Sequence, residues 1–332
     1  MNYTLGHYID ENERAEILRT ATDDSMRRKL QAKILTNNCL VKFRGWDGEN
    51  PNAKNRKRVI ESIKRGQLFF STALGYNDPY DTLMYIDKEG LLNFIERALA
   101  VQMPAYIESQ KTKNFCAGCF ARQQFVRYLD GEIEKIKNSI HDNIKGICLS
   151  RNYLSTLMWA HYARDHTGVA LLYDTKELES AQCCTSSGKV LPEEKFELHP
   201  IKYDTKRPDA TAFIHDYLLS EATGGLPVTH AGDILSPPDY KVIEDIVLTK
   251  DVVWRYEKEV RLIPHVLDFK HTSSAAYLDI KPKAIILGAK ISNRDKDAII
   301  KAAAEAGNIV LYEAWLNDSQ PGYQIVFQEY GL

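Results

Sequence analysis

The sequence predicts an α+β fold: a mixed, mainly antiparallel, split sheet flanked by helices. Two observations carry that prediction. Apolar runs of strand length and amphipathic runs of helical spacing follow one another without regular alternation, which argues against a doubly wound parallel sheet. No internal repeat or low-complexity segment divides the 332 residues, a length that suffices for one large core or two smaller ones. The predicted organisation is an N-terminal helical segment over 1–38 and a single elaborated α+β domain over 39–332, with a helical insertion at about 86–145.

The elements follow in order. Residues 10–36 place Ile17, Leu18, Met26, Leu30 and Ile34 at helical spacing among charges and read as one or two surface helices. CLVKFRGW, 39–46, reads as a strand. A polar Gly/Pro/Asn loop leads to a short basic helix, Arg56 to Arg65, ended by Gly66. LFFS, 68–71, reads as a second strand. Helices are expected at about 88–103 and 119–140, which lack Pro and carry apolar residues every three or four positions. ICLS reads as a strand, Ser155 caps a helix through Arg164, and Val169–Tyr173 is an apolar strand. Residues 175–195 read as polar and irregular. A strand near 198–203, a helix near 209–220, a Gly/Pro-rich loop over 223–239 and a helix at about 240–250 come next. VVWRYEKEVRLIPHV reads as one strand. AAYLDI and AIILG, a helix at about 293–306, then NIVLYEAWL and YQIVFQEY complete the chain.

Composition narrows the function. A formal net charge of −2 and a pI near 6.5 give no global pull toward nucleic acid or membrane. No apolar run approaches the roughly 20 residues that span a bilayer, and the N-terminus lacks the basic start and apolar core of a secretory signal. A cytoplasmic location is the expectation. Six cysteines in a chain this long are no disulfide framework. Cys116-Ala-Gly-Cys119 has metal-ligand spacing, but a structural zinc site wants a second spaced pair and Cys183-Cys184 are adjacent. Ordinary thiols are expected, and no metal. No Gly-rich phosphate loop is present: the Gly224-Gly225 pair has no strand before it.

Three segments concentrate reactive side chains. The first is LMWAHYARDHTGVALLYD, 157–174. On a helix, His161 and Asp165 are i,i+4 neighbours, and the carboxylate could orient the imidazole and raise its pKa. His161 and His166 stand roughly 140° apart on a helix, a poor metal pair. Gly168 can supply a left-handed closing residue, and the helix dipole favours a protonated His166. Alternatively, Trp159 and Tyr162 form a core face and His161–Asp165 a structural pair. The second segment is STALGYNDPYD, 71–81. Asn77-Asp78-Pro79 starts a turn, Asp78 or Asp81 can cap the next helix, and the rings of Tyr76 and Tyr80 could stack on a base. The third is WRYEKEVR, 254–261. In a strand, Glu257, Glu259 and Arg261 share one face. They would make a solvated edge with cross-strand salt bridges, or a site where one carboxylate stabilises a developing cation and the other deprotonates a nucleophile.

Together KFR, LFFS…NDPYD, ICLS…LMWAHYARDHTGVALLYD, WRYEKEVR and AIILG resemble a bacterial and phage family known as domain of unknown function 2971, over about residues 39–290. The resemblance implies a shared fold and brings no activity with it. The chain is more distantly similar to ADP-ribosyltransferases of the Arg-Ser-Glu type, which carry an Arg on an early strand, Ser-Thr on a second and Glu-x-Glu on a later one. Arg44, Ser71-Thr72 and Glu257-Lys258-Glu259 occur in that order, with Ala73 third in the Ser-Thr motif. The long stretch between Ser71 and Glu257 would need a helical insertion. This similarity implies NAD as substrate, held by Arg44 and Ser71. Glu259 would stabilise the ribose oxocarbenium and Glu257 would assist the acceptor. His161 is a further catalytic candidate, and Asn77, Asp78, Tyr80, Asp81, Trp159, Tyr162 and His166 are candidates for the cofactor site.

The expectation is ADP-ribosyl transfer or NAD hydrolysis by a toxin or antiphage effector, acting on a protein or nucleic-acid acceptor. Two alternatives compete. One is a magnesium-dependent nuclease or phosphodiesterase using Asp78, Asp81, Glu257 and Glu259. The other is a non-enzymatic sensor or interaction module, in which the glutamates would be salt-bridged on an exposed edge.

Overall fold

A computed structural model of the chain describes residues 39–46, 54–93, 115–222, 229–230, 233–234, 239–267, 269–316, 321 and 325–330. The N-terminal segment over 1–38, the centre of the expected insertion and most of the 223–239 loop lie outside these residues. The fold is α+β, built on a mixed and mostly antiparallel sheet flanked by helices.

Among the described residues the main sheet has nine strands. Its centre is β5 (Val169–Asp174), paired with β1 (Cys39–Arg44) on one side and β14 (Ala284–Leu287) on the other. Beyond β14 lie β15 (Val310–Leu316) and β16 (Ile325–Glu329), and β14/β15 is the one parallel pair of this sheet among the described residues. Beyond β1 come β4 (Lys145–Ser150), β12 (Glu259–Pro264) and β7 (Phe196–Pro200), with the short β3 (Ser71–Thr72) also on β4. A second sheet joins β2 (Gln67–Phe69), β13 (Tyr277–Asp279) and β6 (Gln182–Cys184).

Both faces of the main sheet are covered, which explains why VALLY reads as an unbroken apolar run. Val169, Leu171 and Tyr173 join one core with Leu40, Leu149 and Val260, under the helices Lys54–Arg65 and Asn293–Ala306. Ala170 and Leu172 join the opposite core with Val41 and Phe43, under the helix Thr156–Tyr162. A third core packs the helices Phe115–Asn143, Thr211–Ala222 and Lys241–Leu248 against Ile144 and Ile263.

The sheet is nearly divided between β1 and β4. β1 and β5 share six registered pairs, from Cys39↔Asp174 to Arg44↔Val169, whereas β1 and β4 share only Val41↔Ser150. A continued ladder would pair Lys42 with Leu149 and Phe43 with Cys148; these positions diverge instead.

Several expected elements are corrected. LFFS is not one strand: Phe70 turns to pack its ring 4.3 Å from that of Phe196, so β2 enters the second sheet and β3 the main one. Residues 175–195 contain a helix, Thr175–Ser180, capped by Asp174, and the strand β6. The run near 198–203 divides into β7 and β8 (Lys202–Asp204). VVWRYEKEVRLIPHV begins as a 3-10 helix, Val252–Glu257, because the Asp251 carboxylate accepts from Val253 N at 2.9 Å and closes a helical turn. Lys258, with φ of 45°, then turns the chain into β12.

Candidate functional site

The divergence of β1 from β4 opens a cavity of about 520 Å³. Its walls come from β1 (Lys42, Arg44), the 71–81 loop (Ser71, Tyr76, Asn77, Asp81), β4 (Cys148, Ser150), the helix Thr156–Tyr162 (Met158, His161, Tyr162) and the segment Lys250–Arg261. Of the residues singled out in the sequence, Arg44, Ser71, Asn77, Asp81, His161, Tyr162, Glu257 and Glu259 meet here.

Each is held by its own element. Ser155 caps the helix bearing His161 and Tyr162 by accepting from Met158 N at 3.2 Å. The Ser150 hydroxyl donates to the Glu257 carbonyl at 2.6 Å, fixing the turn before β12 to β4. Tyr203 on β8 accepts the backbone N–H of Glu259 at 2.8 Å. The Ser71 hydroxyl points back to the Gly146 carbonyl at 3.4 Å.

The floor is a buried charge network. Arg261, 0% exposed, donates through Nε to Glu259 at 2.8 Å and through both Nη atoms to Asp81 at 2.9 and 2.6 Å. It also donates to the Val247 carbonyl at 2.6 Å, and the Tyr76 ring lies 4.7 Å from its guanidinium. The Lys250 ammonium, carried on β11 (Thr249–Asp251), lies among three carboxylates, 2.6 Å from Glu257, 3.2 Å from Glu259 and 3.7 Å from Asp81. The Tyr162 hydroxyl donates to the other oxygen of Glu257.

Glu257 and Glu259 are 3% and 4% exposed, so they are not on an exposed edge; β12 is paired on both sides. Their titrations diverge. Burial pushes the Glu259 carboxyl up, but Arg261 and Lys250 outweigh it and hold the group ionised, well below the usual carboxylate range. For Glu257, burial wins over Lys250 and the Tyr162 hydrogen bond, and its pKa is raised. Burial also works against the charge of Lys250, but Glu259, Glu257 and Asp81 outweigh it and keep the ammonium charged.

Four expected site residues lie elsewhere. Trp159 is fully buried, its indole N–H on the Tyr153 carbonyl at 2.9 Å and its ring edge-on to Phe43, so it is core. Asp78 caps its own turn by accepting from Tyr80 N at 2.9 Å. Tyr80, 63% exposed, faces a neighbouring cavity with Tyr85 and Arg207. His166 packs by Trp159 and near Lys290, and burial followed by Lys290 lowers its pKa, opposite to the helix-end expectation.

The His161–Asp165 pair does not form. The helix ends at Tyr162, and Arg164, Asp165 and His166 all have positive φ, which swings Asp165 off the helix face. These residues, and not Gly168, make the left-handed turn. Gly168 serves a close approach: a Cβ there would lie 2.2 Å from the Arg44 carbonyl oxygen. The sequence reading also missed Lys42, Lys250 and Cys148. A lysine at the centre of the apolar run CLVKF was the available signal for the first.

The fold and site thus define an α+β chain whose divided sheet opens on a buried carboxylate–cation network. Residues 158–262 match the model of a family described as a protein of unknown function (DUF2971). The match takes in His161, Lys250, Glu257, Glu259 and Arg261 and stops short of β1 and the 71–81 loop. No curated protein and no solved structure matches the chain.

Proposed function

We propose that the chain binds NAD in the cavity between β1 and β4 and cleaves its nicotinamide–ribose bond, passing ADP-ribose to an acceptor or to water. One observation carries this reading: Arg44, Ser71, Glu257 and Glu259, separated by up to 215 positions, share one cavity where the sheet divides. Arg44 has no carboxylate partner among the described residues, so its guanidinium is available to a diphosphate. Glu259 is held ionised, as stabilisation of a ribose cation needs. When the glycosidic C–N bond breaks, nicotinamide leaves with the electron pair. The acceptor oxygen then bonds to C1 of the ribose, and its proton passes to Glu257, the carboxyl with the raised pKa. Consumption of NAD is the route by which such a chain would act as a toxin or antiphage effector.

The magnesium reading is less well supported. Its carboxylates already surround the Lys250 ammonium, and Asp78 is turned away into its own cap. Calorimetric titration with NAD, beside one with magnesium, separates the readings. NAD should bind, and Arg44→Ala should weaken that binding at least tenfold. Silence with NAD and a clear magnesium signal would overturn the proposal in favour of the nuclease.

A further inference from the structure

We infer that Lys42 is a nucleophilic amine, which condenses with the carbonyl carbon of an anionic aldehyde or ketone seated between β1 and β4. The inference comes from a contrast between two lysines lining the same cavity. Lys250 sits within 4 Å of three carboxylates and is a fixed cation. Lys42 has no carboxylate partner among the described residues. Its hydrogen bond goes to the Cys148 carbonyl, at 2.6 Å across the gap where the ladder fails. A neutral carbonyl oxygen favours the ammonium over the amine, but far less than a carboxylate would, so it holds the proton on less firmly than the partners of Lys250 do.

The charged and titratable groups around Lys42 oppose one another: Arg44 and Arg261 disfavour its charge, Cys148 and Glu259 favour it, and burial outweighs them all. Arg44, two residues along the same strand, opposes a second positive charge. Across the gap, Cys148 is kept as a neutral thiol by burial and Glu259, and its pKa is pushed up to about 12. On β12, the Glu259 charge is engaged by Arg261 and Lys250, and Arg261 adds a further cation. Burial, with Arg44 next, brings the Lys42 amine down to about 8. At pH 7 that leaves about one chain in ten with a free lone pair, against about one in three thousand for an ordinary lysine. Desolvation and a neighbouring cation are the two means by which a lysine becomes a Schiff-base nucleophile.

The reaction balances without an oxidant or reductant. The nitrogen lone pair forms a bond to the carbonyl carbon, the C–O bond breaks, and the oxygen leaves as water with the two amine hydrogens. Arg44, itself without a carboxylate partner, supplies the contact for an anionic substituent such as a phosphate. The inference does not depend on NAD chemistry.

Pyridoxal 5′-phosphate is the probe. The full chain is incubated with less than one equivalent, reduced with borohydride and mapped by peptide mass. The first adduct should fall on Lys42, with a labelling midpoint near pH 8. Arg44→Gln should slow labelling by pyridoxal 5′-phosphate severalfold while sparing labelling by unphosphorylated pyridoxal. Lys42→Arg should keep the fold and lose the adduct. An adduct spread over exposed lysines with Lys42 unmodified, or a midpoint above pH 10, overturns the inference. Because the map is made on the unaltered chain, it decides the matter even if a variant fails to fold.

Discussion

At the residue scale, Arg261 is the keystone of the site. It neutralises Asp81 and Glu259 at once and contributes to the fold whatever the cavity binds. Breaking a buried ion pair from one side leaves an uncompensated charge and typically costs about 3–5 kcal/mol. Arg261→Met should therefore lower the free energy of unfolding in urea by that amount, and a loss under 1 kcal/mol would mean that water or rearrangement compensates. The acid limb of stability tests Glu259 separately. Its folded pKa is depressed, so it contributes stability that is fully present above its ordinary value of 4.5 and is lost as pH falls below it. Glu259→Gln should flatten the decline of stability below pH 4.5. An unchanged slope would show that other carboxylates govern acid unfolding. The individual glutamates were legible in the sequence, because two carboxylates at i,i+2 beside an arginine are conspicuous. Their counter-ions were not: Arg261 meets Asp81 across 180 positions, and nothing local announces the contact.

At the scale of elements, the sequence disclosed what local forces decide. The helix Asn293–Ala306 begins after its Ser292 cap and ends at Gly307, where φ is 71°. β1, β5 and β14 were readable as short apolar runs bounded by polar residues. Misreadings arose where a side chain captured the backbone locally, as Asp251 does in turning WRYE into a 3-10 helix, or where tertiary packing split a run, as at Phe70. Gly168 is the element-level joint between the His161 helix and β1. A methyl there would meet the Arg44 carbonyl oxygen at 2.2 Å and that of Ala163 at 2.9 Å, both backbone atoms with little room to yield. Gly168→Ala should cost about 1–3 kcal/mol as overpacking, and it should weaken ligand binding by displacing Arg44. Gly131→Ala is the matched control. Its Cβ would meet nothing within 4 Å on the long helix Phe115–Asn143, so removing the glycine should stabilise by about 0.5–1 kcal/mol. Thermal melts of the two variants should move in opposite directions; a neutral Gly168→Ala would refute the close approach.

At the scale of the whole molecule, the central feature is a sheet in two parts joined at Val41↔Ser150. Neither part is an isolated unit, because one core runs beneath both and joins Leu171 and Ile285 to Leu149 and Val260. The fold class was legible because it depends on element types and their order. A split sheet was expected as well, but the place of its division was not legible, because register between strands more than a hundred positions apart leaves no local trace. The division has a measurable consequence. A ligand in the gap must touch both lips, since Lys42 and Arg44 lie on one and Cys148, Ser150 and Glu259 on the other side. Amide exchange on addition of NAD should therefore slow together at 41–45 and 148–150. β14 and β15 lie beyond β5, away from the gap, and should be unchanged. Slowing on one lip alone would mean that the ligand seats on half the sheet, and the division would then be structural rather than a binding cleft. Slowing across the whole sheet would report general stabilisation by a ligand bound elsewhere.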